Sequence, residues 1–371
     1  MALQPPNLNI PPSPHTVSVA IIDTTANVQI AANRFFRPDI PGNEMLKACC
    51  YSFLIRHSSP SPNKHDTLVF DLGVRKDFHN GPKVLVDMVK AAGPDTIKVE
   101  KNISTILEEG GVDLNSVGAI IWSHHHFDHT GDPSTFPLST DLIVGPGFKE
   151  AFVPAYPTVP DAAVDERAWE GRELVEITFP ETEGLKLGQY RAHDFYGDGS
   201  FYLLDTPGHA IGHIAGLART KAEPAEFIFL GGDIAHHGGE FRPTEYLPLP
   251  DTITPNPFRP TTNTSSCPGA LFESIHPQPG EYKTKPFYRL TEGGVHANTA
   301  AAQDSVDKMH EWDAAENIFV VVAHDRTLFD LFEYFPQSHA RQWRAKGWKE
   351  KGLWRFLGDF DVGREKGKAY A

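Results

Sequence analysis

The sequence predicts an α+β fold in which two β-sheets pack face to face with helices outside. Three observations point there. Short apolar runs, bounded by Pro, Gly, Ser or Asn, recur along the chain and read as strands. Segments with apolar residues at helical spacing are interspersed among them. Polar residues with chemical capability collect where strands end, at places a sheet holds rigidly. The 371 residues allow one large domain or two ordinary ones. The pattern reads as a single domain over 16–371, preceded by an arm.

The arm is residues 1–15, MALQPPNLNIPPSPH, which is Pro-rich and either disordered or laid over the surface. Strands are predicted at Val17–Ile22, Ala48–Arg56 and Thr67–Leu72, and helices over Phe78–Ala92 and Ile103–Glu109. Val117–Trp122 reads as a buried strand that feeds directly into Ser123-His-His-His-Phe-Asp-His129. Further strands are Leu142–Val144, Glu173–Thr178, Ser200–Leu204 and Ile214–Ala218. Glu226–Leu230 is another, ending at Gly231-Gly232-Asp233. Residues 236–290 are rich in Pro, Gly, Thr and Ser, long for a structureless loop, and read as an insertion or lid. Within it, Phe241, Tyr246, Leu247, Phe258 and Phe272 either line an apolar substrate pocket or pin the segment to the core. A helix follows over Ala300–Ala315, then a buried strand, Asn317–Ala323, that ends at His324. A last helix is expected near His339–Trp348.

Composition excludes several classes. Apolar residues make up 40%, enough for a packed core. Forty-eight acidic residues against 34 basic ones give a net charge of −14, which repels phosphate backbones, so no nucleic-acid partner is expected. No apolar stretch approaches the roughly 20 residues that cross a bilayer, so no membrane partner is expected either. The start has neither a basic nor an apolar leader region, and no secretory signal is expected in it. The cysteines are Cys49, Cys50 and Cys267; an odd count with two adjacent argues against a disulfide framework and for a reducing, cytoplasmic setting. Cys49 and Cys50 fall in a core strand and read as apolar filling.

Histidine is the outlier, at 18 residues, and four of them are His124, His125, His126 and His129. In an extended loop alternate residues point the same way, so His124 and His126 can grip one metal ion. Asp128 and His129 follow on a turn and can reach a second. Imidazole and carboxylate donors suit Zn²⁺, and also Mn²⁺, Fe²⁺ or Co²⁺. A plain surface run of histidines would require neither an aspartate in register nor a buried strand running into it.

These residues resemble the metallo-β-lactamase superfamily. The match rests on Phe70-Asp71-Leu72-Gly73, the His124–His129 block, Thr206-Pro207-Gly208-His209 and Gly232-Asp233, with Val322-Ala323-His324 as a fifth place. The resemblance implies an αββα sandwich of two packed mixed sheets, with the site at one edge. It implies that His124, His126 and His209 hold one ion and that Asp128, His129 and His324 hold the second. Asp233 would bridge the two, and two Zn²⁺ are the implied cofactors. His324 is chosen over His296, His310 and His339 because it ends an apolar, strand-like run. Asp71 is expected to support a ligand by hydrogen bonding, His213 to do the same, and His125 to point away. His236 and His237 read as lid or surface residues.

Seven ligands around two ions leave room for a bridging water, whose pKa coordination lowers from 15.7 to about 7. The resulting hydroxide would attack a carbonyl carbon, with Asp128 carrying the proton to the leaving group. No Gly-x-Ser-x-Gly elbow offers a serine nucleophile instead. The stretch Ser123–Gly131 resembles the lactonase-like branch, whose members open acyl-homoserine lactones or other cyclic esters, amides or carbamates. The implied function is therefore a hydrolase that opens a small cyclic ester or amide (a lactone, lactam or cyclic carbamate). The alternatives are a glyoxalase-II-like thioester hydrolase, which shares the ligand set, and a mononuclear iron dioxygenase. One departure stands out: bacterial lactonases place a carbonyl-orienting Tyr three residues after the bridging Asp, where this chain has His236. Either His236 takes that role, or Tyr246 does, or the substrate differs. The family is often dimeric, and the stretch with Trp343, Trp348 and Trp354 is either a homodimer interface or a helix packed on its own domain.

Overall fold

Strand Val17–Ala31 shows how the layers arise. Val17, Val19 and Ile21 face one apolar core while Ala20 and Ile22 face another, so the strand is buried on both sides. In the computed structural model, which describes residues 2–58, 62–93, 96–259 and 265–361, this pattern repeats through two mixed sheets. The first sheet runs, in spatial order, Ile97–Lys98, Val17–Ala31, Met45–His57, Thr67–Phe70, Ala119–Ile121, Asp141–Val144 and Leu174–Glu176. The second runs Ile318–Val321, Glu226–Leu230, Ile214–Lys221, Phe201–Asp205, Tyr190–Asp194 and Lys186–Leu187.

The core between the sheets joins Tyr51, Phe53, Phe70 and Ile121 of the first to Phe201, Leu203, Ile228 and Val321 of the second. The outer face of the first sheet packs Val69, Ile120 and Leu142 against Ile103, Leu107 and Phe148 of helices Ile103–Glu109 and Phe148–Phe152. The outer face of the second packs Leu217, Phe229 and Val320 against Val306, Met309 and Trp312 of helix Thr299–Ala314. The result is the αββα sandwich.

Several elements depart from expectation for local reasons. The first strand continues past Ile22 because a register shift between Asp23 and Asn27 absorbs a stretch that reads as a turn. The helix expected over Phe78–Ala92 splits into a turn, Phe78–Asn80, and a helix, Lys83–Ala92, with Pro82 at its N-cap. The helix expected near His339–Trp348 is not continuous: a turn at Ala340–Gln342 precedes helix Trp348–Gly352. Gly347, with φ +63°, reorients the chain between them. Trp343, Trp348 and Trp354 are all buried within the chain's own cores. The N-terminal arm lies on the second sheet, where Arg219 Nη2 donates to Pro11 O (2.6 Å) and Leu8 is buried. Among the described residues no helix is long and apolar enough to cross a membrane.

The 236–290 segment begins inside the molecule, with residues through Thr244 buried. Leu249, Ile253, Phe272, Phe287 and Tyr288 then pack with Phe35, Phe36, Phe356 and Phe360 in a further apolar cluster. These aromatics pin the segment down; residues 260–264 of it lie outside the described residues. A buried charge pair reinforces the seam. Arg242 grips both carboxylate oxygens of Asp313 at 2.7 and 2.6 Å, and Lys349 donates to the carbonyls of Asp313, Ala315 and Ile318. Removing one member of a buried pair strands the other, so Asp313→Ala lowers unfolding stability by about 3–5 kcal/mol. Replacing both Arg242 and Asp313 by apolar residues costs less than that in urea unfolding. A loss for Asp313→Ala no larger than that of a surface substitution contradicts this account.

Candidate metal centre

Five strand ends on one edge of the sandwich deliver the site. Thr67–Phe70 leads into Asp71, Ala119–Ile121 into the histidine loop, Phe201–Asp205 into the turn before His209, Glu226–Leu230 into Asp233, and Ile318–Val321 into His324.

Asp71 is the organiser of the histidine loop. It holds a left-handed backbone (φ +59°), unusual for a non-glycine residue. Its carboxylate accepts from Ser123 N at 2.6 Å, Ser123 Oγ at 2.7 Å and His129 Nδ1 at 2.8 Å. The last bond fixes the His129 tautomer, so Nε2 is the nitrogen presented to the centre. His324 is set in the same way, with Nδ1 donating to Cys49 O at 2.7 Å. His209 follows Gly208, whose φ is +123° and whose Cβ, if present, would lie 1.9 Å from Ala302 N. Glycine there lets the turn close onto helix Thr299–Ala314.

The donor atoms converge without pairing as hydrogen bonds should. Ligand atoms of His124, His126, His209 and Asp233 all lie within 4.8 Å of one another, as do those of His129, Asp233 and His324. His209 Nε2 faces His126 Nδ1 at 2.9 Å, and His129 Nε2 faces His324 Nε2 at 3.4 Å. His124 Nε2 finds no hydrogen-bond partner among the described residues. Asp233 Oδ1 is 3.0 Å from both His129 Nε2 and His324 Nε2, yet accepts no well-aimed hydrogen bond from any described residue. Nitrogens aimed at nitrogens around a buried carboxylate are the arrangement that cations between them would satisfy.

The proton affinities agree. Burial pushes His126 down to about 3, and holds His124 and His209 well below the ordinary histidine range, leaving lone pairs free. Burial also pulls on His129 and His324, but Asp233 overrides it and holds both well above that range. Despite burial, His129, His324 and His236 keep Asp233 well below the usual carboxylate range. Positive charge is therefore favoured beside Asp233. These residues fit a metal centre.

The supporting residues are placed as follows. His213 Nδ1 donates to Thr206 O at 2.9 Å, and its Nε2 accepts from Asp233 N at 3.0 Å, so it steadies the Asp233 backbone. Asp128 lies 3.4 Å from His324 Nε2, with its side chain 14% exposed. His125 turns away and packs on the Phe152 ring at 4.1 Å. His236 is buried at the cage, with Nε2 3.1 Å from Asp233 Oδ2 and its ring 4.2 Å from that of Phe35. His237 faces Asp359 instead, at 3.3 Å. Tyr246 is not brought to the cage; it lines a separate cleft with Asp307 and His310.

Three neighbours escaped the sequence reading. His296 has Nδ1 3.2 Å from His209 Nδ1, with Nε2 donating to Phe35 O at 3.1 Å. Phe35 covers His236. Cys50, read as apolar filling, has its sulfur 3.9 Å from His324 Nδ1. None carries a local motif, since each arrives from a distant part of the chain.

If Asp71 orients His129, Asp71→Asn lowers metal affinity by about 10–100-fold. Competition with a coloured chelator measures this, and wild-type affinity in the variant contradicts the assignment.

No protein-family model matches the chain. It is 53% identical over 358 residues to the gamma-lactamase FDB1 of Fusarium pseudograminearum, covering 96% of this chain and 85% of that protein. It is 56% identical over 243 residues to the gamma-lactamase MBL2 of Gibberella moniliformis, covering 65% of this chain and all of that one. Among solved structures, a quorum-quenching N-acyl homoserine lactone hydrolase superposes with a TM-score of 0.53 at 15% identity, over 91% of this chain and all of the other. Fold, site and relatives together place the chain in the metallo-β-lactamase superfamily, in its lactonase- and lactamase-like branch.

Proposed function

We propose that the chain, a metal-dependent hydrolase of a small cyclic ester or amide, works with two zinc ions in this cage and in a reducing, cytoplasmic setting. The observation that carries the two-ion reading is the aim of Asp233. Its Oδ2 faces His124 and His209 at 3.7 and 3.4 Å and its Oδ1 faces His129 and His324 at 3.0 Å each, with His236 and His324 also 3.1 and 3.2 Å from Oδ2. His124, His126 and His209 would hold the first ion, and Asp128, His129 and His324 the second. A bound divalent ion supplies a Lewis acid and brings the pKa of water from 15.7 to about 7.

The chain's own groups then divide the work. Asp128 is the cage carboxylate nearer solvent, with its side chain 14% exposed against 4% for that of Asp233. That exposure supports a role for it in carrying a proton to the ring heteroatom as the ring opens. The closeness of His236 Nε2 to Asp233 Oδ2, at 3.1 Å, supports His236 as the group that orients the substrate carbonyl, since Tyr246 lines a separate cleft. The free, buried cysteines suit a reducing compartment.

A cavity of about 310 Å³ reaches His236 and His324, lined also by Asn43, Leu46, Lys47 and Arg326. That volume suits a small ring compound. A larger cavity, about 520 Å³, lies on the outer flank of the histidine loop, bordered by His125 and Phe127. It touches none of the proposed ligands, so the smaller cavity is assigned to the substrate. The gamma-lactamase relatives make a cyclic amide the first substrate to try.

Assays of a γ-lactam, a γ-lactone, a cyclic carbamate and a thioester test the reading. Turnover of a ring substrate, abolished by chelation and restored by zinc, is expected; preference for the thioester contradicts it. In Asp128→Asn protein whose metal content is confirmed by analysis, kcat is expected to fall by about 100-fold or more. Near wild-type turnover in that variant, with its ions in place, removes Asp128 from proton transfer.

A further inference from the structure

We propose that Cys50 supplies a thiolate donor to the second metal position, beside Asp128 and His324. The inference rests on the two-ion reading above and adds a ligand of a different chemical class to it. Cys50 Sγ, an Asp128 oxygen and a His324 ring nitrogen all lie within 4.8 Å of one another. Tetrahedral donors to one zinc ion, at about 2.3 Å for sulfur and 2.0 Å for nitrogen, stand about 3.5 Å apart. A closure of at most about 1.3 Å from that bound therefore brings all three into one coordination sphere.

Strand geometry singles out this cysteine. Successive side chains of Met45–His57 point to opposite faces. Cys49 enters the core between the sheets, while Cys50 faces the other way, toward the cage. The Cys49 carbonyl holds His324 by its Nδ1 hydrogen at 2.7 Å, which seats the ring next to the following side chain. The nitrogen 3.9 Å from Cys50 Sγ has thus given its hydrogen elsewhere, and the sulfur keeps its lone pairs. Cys50 is 1% exposed, so solvent does not compete for it. Burial alone raises this thiol, but coordination to a dication deprotonates a thiol outright. A soft thiolate added to imidazoles and carboxylates favours zinc over manganese or magnesium at that position.

Cobalt substitution reads this directly. The full chain is stripped with chelator and loaded with Co²⁺, and its absorption is recorded. Visible d–d bands report that cobalt is bound, and an intense near-ultraviolet band reports thiolate-to-cobalt charge transfer. The expected result is both features in the wild type, with the near-ultraviolet band appearing as the second equivalent binds. Cys50→Ser loses that band and keeps the d–d bands, whereas Cys49→Ser and Cys267→Ser retain it. Cobalt bound without the near-ultraviolet band in the wild type overturns the proposal and leaves the two-ion reading standing. Survival of the band in Cys50→Ser also overturns it. No cobalt binding at all overturns both. The wild-type spectrum is decisive even if Cys50→Ser fails to fold.

Discussion

A carboxylate buried to 3% exposure must be matched by positive charge, and Asp233 draws it from the imidazoles around it, holding His129 and His324 well above the ordinary histidine range. Five histidines, at positions 124, 129, 209, 236 and 324, come within 3.7 Å of its oxygens. Protonating all five would crowd like charges into one small volume. Leaving all five neutral would strand the carboxylate. Divalent metal bound in the cage would resolve both problems, because the imidazoles that face it would offer lone pairs and Asp233 would meet its charge. The remainder of the site holds that geometry: Asp71 sets His129, the Cys49 carbonyl sets His324, and His213 sets the Asp233 backbone.

The sandwich makes this possible by bringing strand ends from two sheets to one edge. The first sheet contributes Asp71 and the histidine loop; the second contributes His209, Asp233 and His324. The pinned 236–290 segment adds His236 and, through Arg242 and Asp313, ties the site's flank to helix Thr299–Ala314. The rigidity of the cage and the stability of the fold therefore share residues near Arg242.

Much of this was legible in the sequence, for identifiable reasons. The ligand loop needs fixed residue types at short spacing after a buried strand, so His124, His126, Asp128 and His129 announce themselves locally. His209, Asp233 and His324 each follow a strand, and their order in the chain carried the rest. Contacts made across the fold were not legible. His296 and Phe35 reach the cage from loops with no distinguishing pattern. Between His236 and Tyr246 the sequence offered no means to choose, because the path of the 236–290 segment depends on its packing against the C-terminal aromatics. Cys50 looked like core because its strand is buried on both faces, which hides the alternation that an exposed face would reveal.

The central claim is that two ions sit on either side of Asp233. Anomalous diffraction from crystals of the zinc-loaded protein, collected at the zinc absorption edge, tests it most directly. The account predicts two peaks about 3.5–4 Å apart, flanking the Asp233 carboxylate. A single peak, or peaks away from Asp233, would contradict it.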